Sequence, residues 1–194
     1  MQGWWTVSYV ILWFVVVVLV ILVVALARQI GTLHLRLGPR GALEMDDEGP
    51  PLGEAPESAE LADVNGAPVT IAGPGEPQLL LWVSPGCHVC EQVLPSIAAV
   101  ATRGRLAPYL LTDIDVHETK RVYGARDLKA PVIPAPFLAL DYGVPGTPYV
   151  IVLDELGVVR AKGTVNNLEQ MEGLIDSAER RIRESRAERA ASGA

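Results

Sequence analysis

The chain is predicted to be an α/β protein, a central sheet flanked by helices, behind one N-terminal membrane-spanning helix. Three observations carry that expectation. Val7–Ala27 is an uncharged run dominated by Val, Leu and Ile. Gln78–Ser84 is a continuous apolar run of the kind shown by a strand buried on both faces, and a helical pattern over Glu91–Arg103 and a second strand over Tyr109–Ile114 follow it, the alternation of a βαβ unit. Cys87 and Cys90, the only two cysteines, stand between that first strand and the helix.

Taken in order, the 21 residues of Val7–Ala27 would make a helix of about 31 Å, enough to cross a hydrocarbon core. Trp4, Trp5 and Tyr9 stand at one end, where aromatic side chains favour the interface. No Lys or Arg precedes the run, which argues for a retained anchor over a cleaved leader. From Gln29 to about Glu60 the chain is rich in Gly, Pro and acid, with turn signals at Gly38-Pro39, Gly49-Pro50-Pro51 and Ala55-Pro56, and reads as a tether. Asn65-Gly66 between short apolar runs predicts a small hairpin over Ala62–Ile71.

In the Glu91–Arg103 helix Val93, Leu94, Ile97, Ala98 and Ala101 share a face, and Pro95 should kink it because it lacks an N–H and crowds the preceding turn. Thr119–Arg126 reads as a short helix, and Pro-rich Val132–Tyr142 has no single assignment. Tyr149–Leu153, the turn Asp154–Gly157 and Val158–Thr164 read as a hairpin. Asn166 or Asn167 can cap a last helix with Leu168, Met171, Leu174, Ile175 and Ala178 as its apolar stripe. Beyond Glu179 the chain is an Arg/Glu-rich tail, a solvated helix extension or disordered. The organisation expected is an anchor over residues 1–28, a linker over 29–60, the α/β domain over 61–178 and a charged tail over 179–194.

A net charge of −7, with no basic stripe, argues against nucleic acid as a partner. The acidic stretch Glu44, Asp46, Asp47, Glu48, Glu54, Glu57 and Glu60 reads as a solvated linker face, with steering of a basic partner as the alternative. Charge leaves topology open. Arg28, Arg36 and Arg40 follow the span, which by the positive-inside rule would hold the remainder in the cytoplasm, whereas residues 41 to 102 carry ten acidic residues and no basic one and large domains translocate despite charge.

The cysteines carry the chemistry. Cys87 at a helix start lies where unpaired N–H groups favour a thiolate, the species that attacks disulfides, and Cys90 one turn on can close back to release a mixed disulfide. Two other readings weigh less. A structural zinc needs four ligands, and beyond the pair there are only the singly placed His34, His88 and His117. A structural disulfide more often links distant segments, because a short loop constrains the unfolded chain least.

Several of these pieces resemble the thioredoxin fold family, whose central mixed sheet is flanked by helices. The Cys-x-x-Cys follows the first central strand, Pro95 sits five residues after the second cysteine, and Thr147-Pro148 directly precedes a strand, where the family has its cis-proline. That resemblance implies that the residue 147 backbone docks a substrate chain in the manner of an added strand. More specifically, Ala27-Arg28-Gln29-Ile30-Gly31-Thr32-Leu33-His34, Gly38-Pro39-Arg40-Gly41-Ala42-Leu43, Gly146-Thr147-Pro148-Tyr149 and Gly157-Val158-Val159-Arg160-Ala161-Lys162-Gly163-Thr164-Val165-Asn166-Asn167 resemble the MauD family of methylamine dehydrogenase accessory proteins, over nearly the whole chain except the tail.

The resemblance implies a single-pass protein of the cytoplasmic membrane, its soluble domain in the periplasm, acting as a thiol-disulfide oxidoreductase on the disulfide-dense small subunit of the dehydrogenase. Cys87 would be the attacking or attacked sulfur, Cys90 the resolving one, and Thr147-Pro148 the substrate-docking edge. The only redox group would be the Cys87–Cys90 disulfide, with no cofactor or metal, and a separate redox partner would reset it. The rivals are a reductase for cytochrome c assembly or another thiol client, and a non-enzymatic assembly factor. Two departures matter. His88-Val89 stands between the cysteines where Pro is common first, and a protonated His88 beside the attacking thiol would stabilise its thiolate. Leu81 occupies the position of thioredoxin's buried acid, so protons in the second step must move otherwise, through water or Glu91.

Overall fold

The computed structural model describes residues 2–36 and 48–192. Outside them lie the Gly38-Pro39 turn and the rest of the 38–43 motif, Glu44, Asp46 and Asp47 of the acidic stretch, and residues 193–194 of the tail. Helix α1 (Gln2–Arg36) forms a unit by itself. Its segment Gly3–Val23 is long and apolar enough to cross a membrane. The helix continues through Gln29–Arg36, expected as tether: Gln29, Leu33, Leu35 and Arg36 are good helix formers and the segment holds no Pro.

In the second unit β1 (Ala59–Ala62) and β2 (Pro68–Ile71) form the expected hairpin, with Asp63 Oδ1 accepting from the Asn65 and Ala67 N–H groups across the turn. The main sheet comprises β3 (Gln78–Val83), β4 (Ala107–Thr112), β5 (Val132–Pro134), β6 (Tyr149–Leu153) and β7 (Val159–Thr164), in the order β5-β4-β3-β6-β7. The β3–β4 and β4–β5 pairs are parallel and the β3–β6 and β6–β7 pairs antiparallel, so the sheet is mixed.

Strand β3 is buried at every residue, and its side-chain alternation divides the core. Leu79, Leu81 and Val83 pack with Cys90, Val93, Ile97, Met171 and Ile175, while Leu80 and Trp82 pack with Ile71, Tyr142, Tyr149 and Ile151 on the other face. Each such Leu contributes about 1.5–3 kcal/mol by leaving water.

The helix that follows β3 is broken as Pro95 requires: α2 (His88–Val93), a 3-10 turn at Leu94–Ser96, then α3 (Ile97–Gly104). Helix α4 (Val116–Tyr123) starts three residues before the expected Thr119, because Asp115 accepts from the His117 and Glu118 N–H groups and caps it there. The Pro-rich stretch resolves into β5 and the short α5 (Leu138–Asp141). Asn167 caps α6 (Leu168–Ser192), whose buried stripe is Met171, Leu174, Ile175, Ala178 and Ile182, while Leu168 is exposed.

One stretch differs from its sequence reading, and for a second the structure selects the helix extension and adds its contacts. Residues 48–58, expected in the linker, are fastened to the domain. The Glu48 carbonyl accepts from the Tyr149 hydroxyl (3.0 Å) and the buried Lys162 ammonium (2.6 Å), and the Glu57 carbonyl accepts from the Tyr142 hydroxyl (2.6 Å). Gly53 N–H donates to the Val159 carbonyl and Val159 N–H to that of Glu54. Burial pushes the Tyr142 phenol up to about 12, so it keeps the proton it donates. Gly49 sits at φ +69°, and a Cβ there would run into the Tyr149 hydroxyl. The charged tail, for its part, continues α6: Arg181 donates to the Arg160 carbonyl, and Arg186 and Arg189 pair with Glu155. The Arg186 hydrogen bond pulls the Glu155 carboxyl down to about 2.

Candidate active site

Parallel β3 and β4 end, and antiparallel β6 begins, at one edge of the sheet, so three loops distant in sequence meet there. From β3 the chain passes through Ser84-Pro85-Gly86, with Gly86 at φ +75°, a backbone shape that glycine adopts without strain. The Cys87 N–H donates to the Ser84 carbonyl, and Cys87 becomes the N-cap of α2. Its Sγ accepts from the Cys90 N–H at 3.1 Å, the place of a side-chain oxygen in an ordinary cap. Cys87 and Cys90 form a disulfide, their Cα atoms 5.2 Å apart.

The two sulfurs differ in access. Cys87 is half-buried, while Cys90 is 1% exposed in the core with Leu81, Val93 and Leu94. An incoming thiolate can therefore reach Cys87 and not Cys90. Opposite them the Thr147–Pro148 bond is cis, and the Thr147 carbonyl oxygen lies 3.8 Å from Cys87 Sγ. The structure thus brings Cys87, Cys90, Thr147 and Pro148 together. His88 is on the solvent side of α2, its Nε2 3.1 Å from the Gln92 side-chain nitrogen. Leu81 is fully buried. Glu91, considered as a proton route, is instead engaged with Arg126 at 2.7 and 2.9 Å, and the Arg126 guanidinium lies 5.2 Å from the Tyr123 ring centroid.

Two polar residues at this edge went unremarked in the sequence. Thr147 Oγ1 donates to Ser84 Oγ at 3.1 Å, and Ser84 Oγ donates to Asp113 Oδ2 at 3.1 Å. The one available signal was position: Asp113 directly follows β4, and sites in α/β folds gather beyond the carboxyl ends of parallel strands. Among the described residues no group of three His, Cys, Asp or Glu side chains could hold a metal ion.

The fold has solved counterparts. The chain aligns with the exposed lipoprotein thioredoxin of Streptococcus pneumoniae at TM-score 0.56 and 18% identity, over 64% of this chain and 99% of that one. It aligns with a thio-disulfide isomerase of Thermus thermophilus at TM-score 0.52 and 23% identity, over 67% and 96%. Those likenesses establish a thioredoxin-like fold, in which a Cys-x-x-Cys disulfide opens the first helix after the central strand. No family model matches the chain. Methylamine utilization protein MauD of Methylorubrum extorquens is 33% identical over 174 residues, 88% of this chain and 84% of that protein. The chain belongs to the MauD family.

Proposed function

We propose that this protein is a membrane-anchored thiol-disulfide oxidoreductase that forms or reshuffles disulfides in the methylamine dehydrogenase small subunit during its maturation. Helix α1 holds it in the cytoplasmic membrane, with the soluble domain in the periplasm. The observation that carries the redox reading is the asymmetry of the pair: one sulfur is accessible at a helix N-terminus, and its partner is buried behind it. The MauD relatives, named for methylamine utilization, support the choice of client.

In the oxidising direction a client thiolate attacks Cys87 Sγ. A client–Cys87 bond forms, the Cys87–Cys90 bond breaks, and Cys90 leaves with the electron pair and takes up a proton. A second client thiolate then attacks its own sulfur in the mixed disulfide and releases Cys87. The client dithiol is oxidised by two electrons, the pair is reduced by two, and a separate disulfide carrier restores it. Isomerisation starts from the reduced pair: Cys87 attacks a client disulfide, the client thiolate so freed attacks a second client disulfide, and the thiolate released there attacks the client sulfur bonded to Cys87 and frees Cys87, with no net change in oxidation state. Protein groups alone suffice, without cofactor or metal. Thr147 and Pro148 present the edge on which the client backbone pairs. His88, when protonated, adds positive charge beside Cys87.

The test is a trap in the native host. Cys90→Ser removes the resolving thiol, so a Cys87–client adduct should persist and be recovered. Recovery of the dehydrogenase small subunit supports the proposal and places the domain outside the cytoplasm. Recovery of an apocytochrome or a general thiol carrier replaces it with the reductase reading. Full dehydrogenase maturation with both cysteines changed to Ser overturns the redox role.

A further inference from the structure

The Thr147 carbonyl and the Cys90 amide act on Cys87 in opposite senses. The amide points an N–H at the sulfur from 3.1 Å and favours a thiolate. The carbonyl oxygen, 3.8 Å away, carries partial negative charge and can accept from a neutral thiol, so it favours the protonated form. The proton affinity of Cys87 therefore depends on how firmly that carbonyl is held near it.

A hydrogen-bond chain holds it there. An ionised Asp113 carboxylate can only accept, so Ser84 must donate to it, which leaves the Ser84 oxygen to accept from Thr147. The directions are fixed along the whole chain. Ser84 also grips the other side of the site, because its backbone carbonyl accepts from the Cys87 N–H. One residue thus ties the turn that carries the sulfur to the loop that carries the carbonyl, and Asp113 sets the direction of its hydroxyl.

We propose that Ser84 and Asp113 are positioning residues that clamp the Thr147 carbonyl against the Cys87 sulfur and so set how readily Cys87 ionises. This rests on the reading of Cys87 as the exchanging sulfur. Neither residue touches the reacting atoms through its side chain, and the clamp works from outside the Cys-x-x-Cys sequence.

The experiment uses the full chain in detergent with Cys90→Ser, which leaves Cys87 as the sole thiol, titrated by thiolate ultraviolet absorbance. Adding Ser84→Ala should lower the Cys87 midpoint by about half to one pH unit, roughly three- to tenfold more thiolate below the midpoint. Asp113→Ala should give a smaller shift of the same sign, and Ser84→Thr, which retains a hydroxyl, should restore the parent value. An unchanged or raised midpoint in folded Ser84→Ala overturns the clamp, as does a lowered midpoint that Ser84→Thr fails to restore. A purely structural role would move thermal stability and leave the midpoint in place. Failure of the redox reading shows separately, as a Cys87 that forms no mixed disulfide with any client, and the midpoint comparison decides the clamp in either case.

Discussion

The amide nitrogen of Cys90 lies 3.1 Å from the sulfur of Cys87, so the backbone of the buried cysteine stabilises charge on the accessible one. Unequal reactivity in the reduced protein follows. Brief alkylation near neutral pH, read by peptide mass spectrometry, should label Cys87 at least about tenfold faster than Cys90, because the amide lowers one thiol pKa and burial raises the other. Equal labelling would remove the basis for giving the two cysteines different tasks.

Glu91, next to Cys90 in sequence, has its carboxylate neutralised by Arg126. Arg126→Ala should leave an uncompensated negative charge close to the sulfurs and raise the Cys87 pKa by a few tenths to one pH unit, slowing exchange at neutral pH. The pair is partly exposed, so stability should fall by no more than about 1 kcal/mol. Thiol titration beside denaturant unfolding separates the two effects, and a change in stability without one in the titration would make the pair structural only.

Acid should loosen the end of α6. The Arg186 hydrogen bond takes Glu155 from an ordinary 4.5 to about 2 in the folded protein. A lowered carboxyl pKa stabilises the fold fully above about 4.5 and loses that contribution as pH falls toward about 2. Glu155→Gln should therefore unfold more easily than the parent at neutral pH, with the gap closing over that window in melts followed by circular dichroism. A gap that widened on acidification would contradict the assignment.

Gly49→Ala should release the 48–58 strap, because its φ of +69° strains an alanine and the new methyl meets the Tyr149 hydroxyl. A loss of about 1–3 kcal/mol is expected. Limited proteolysis should show cutting within residues 48–58 before the sheet is touched. Simultaneous loss of strap and sheet would mean that they unfold as one unit.

What could be read from the sequence was what neighbouring residues decide. The β3 run, the Pro95 break, the Asn65-Gly66 hairpin and the Asn167 cap are local signals, and each appears in the structure. The strap was illegible because Gly, Pro and acid read as a solvated tether, while its anchors Tyr142, Tyr149 and Lys162 stand 85, 101 and 114 residues away. The docked tail was hidden likewise, since an Arg/Glu-rich helix looks the same free or packed until Glu155 and Arg160 come beside it. Within the site, spacing alone marked the cysteines. Ser84 and Asp113, 29 residues apart, are neighbours only because β3 and β4 run parallel and end together.

That common strand ending separates the reagent from its tuning. The sulfur chemistry is confined to four consecutive positions, whereas the groups that bias it come from loops around Ser84, Asp113 and Thr147. Substitutions in those loops can adjust the driving force of exchange while the cysteine motif stays untouched, so relatives sharing an identical motif need not share a direction of electron flow.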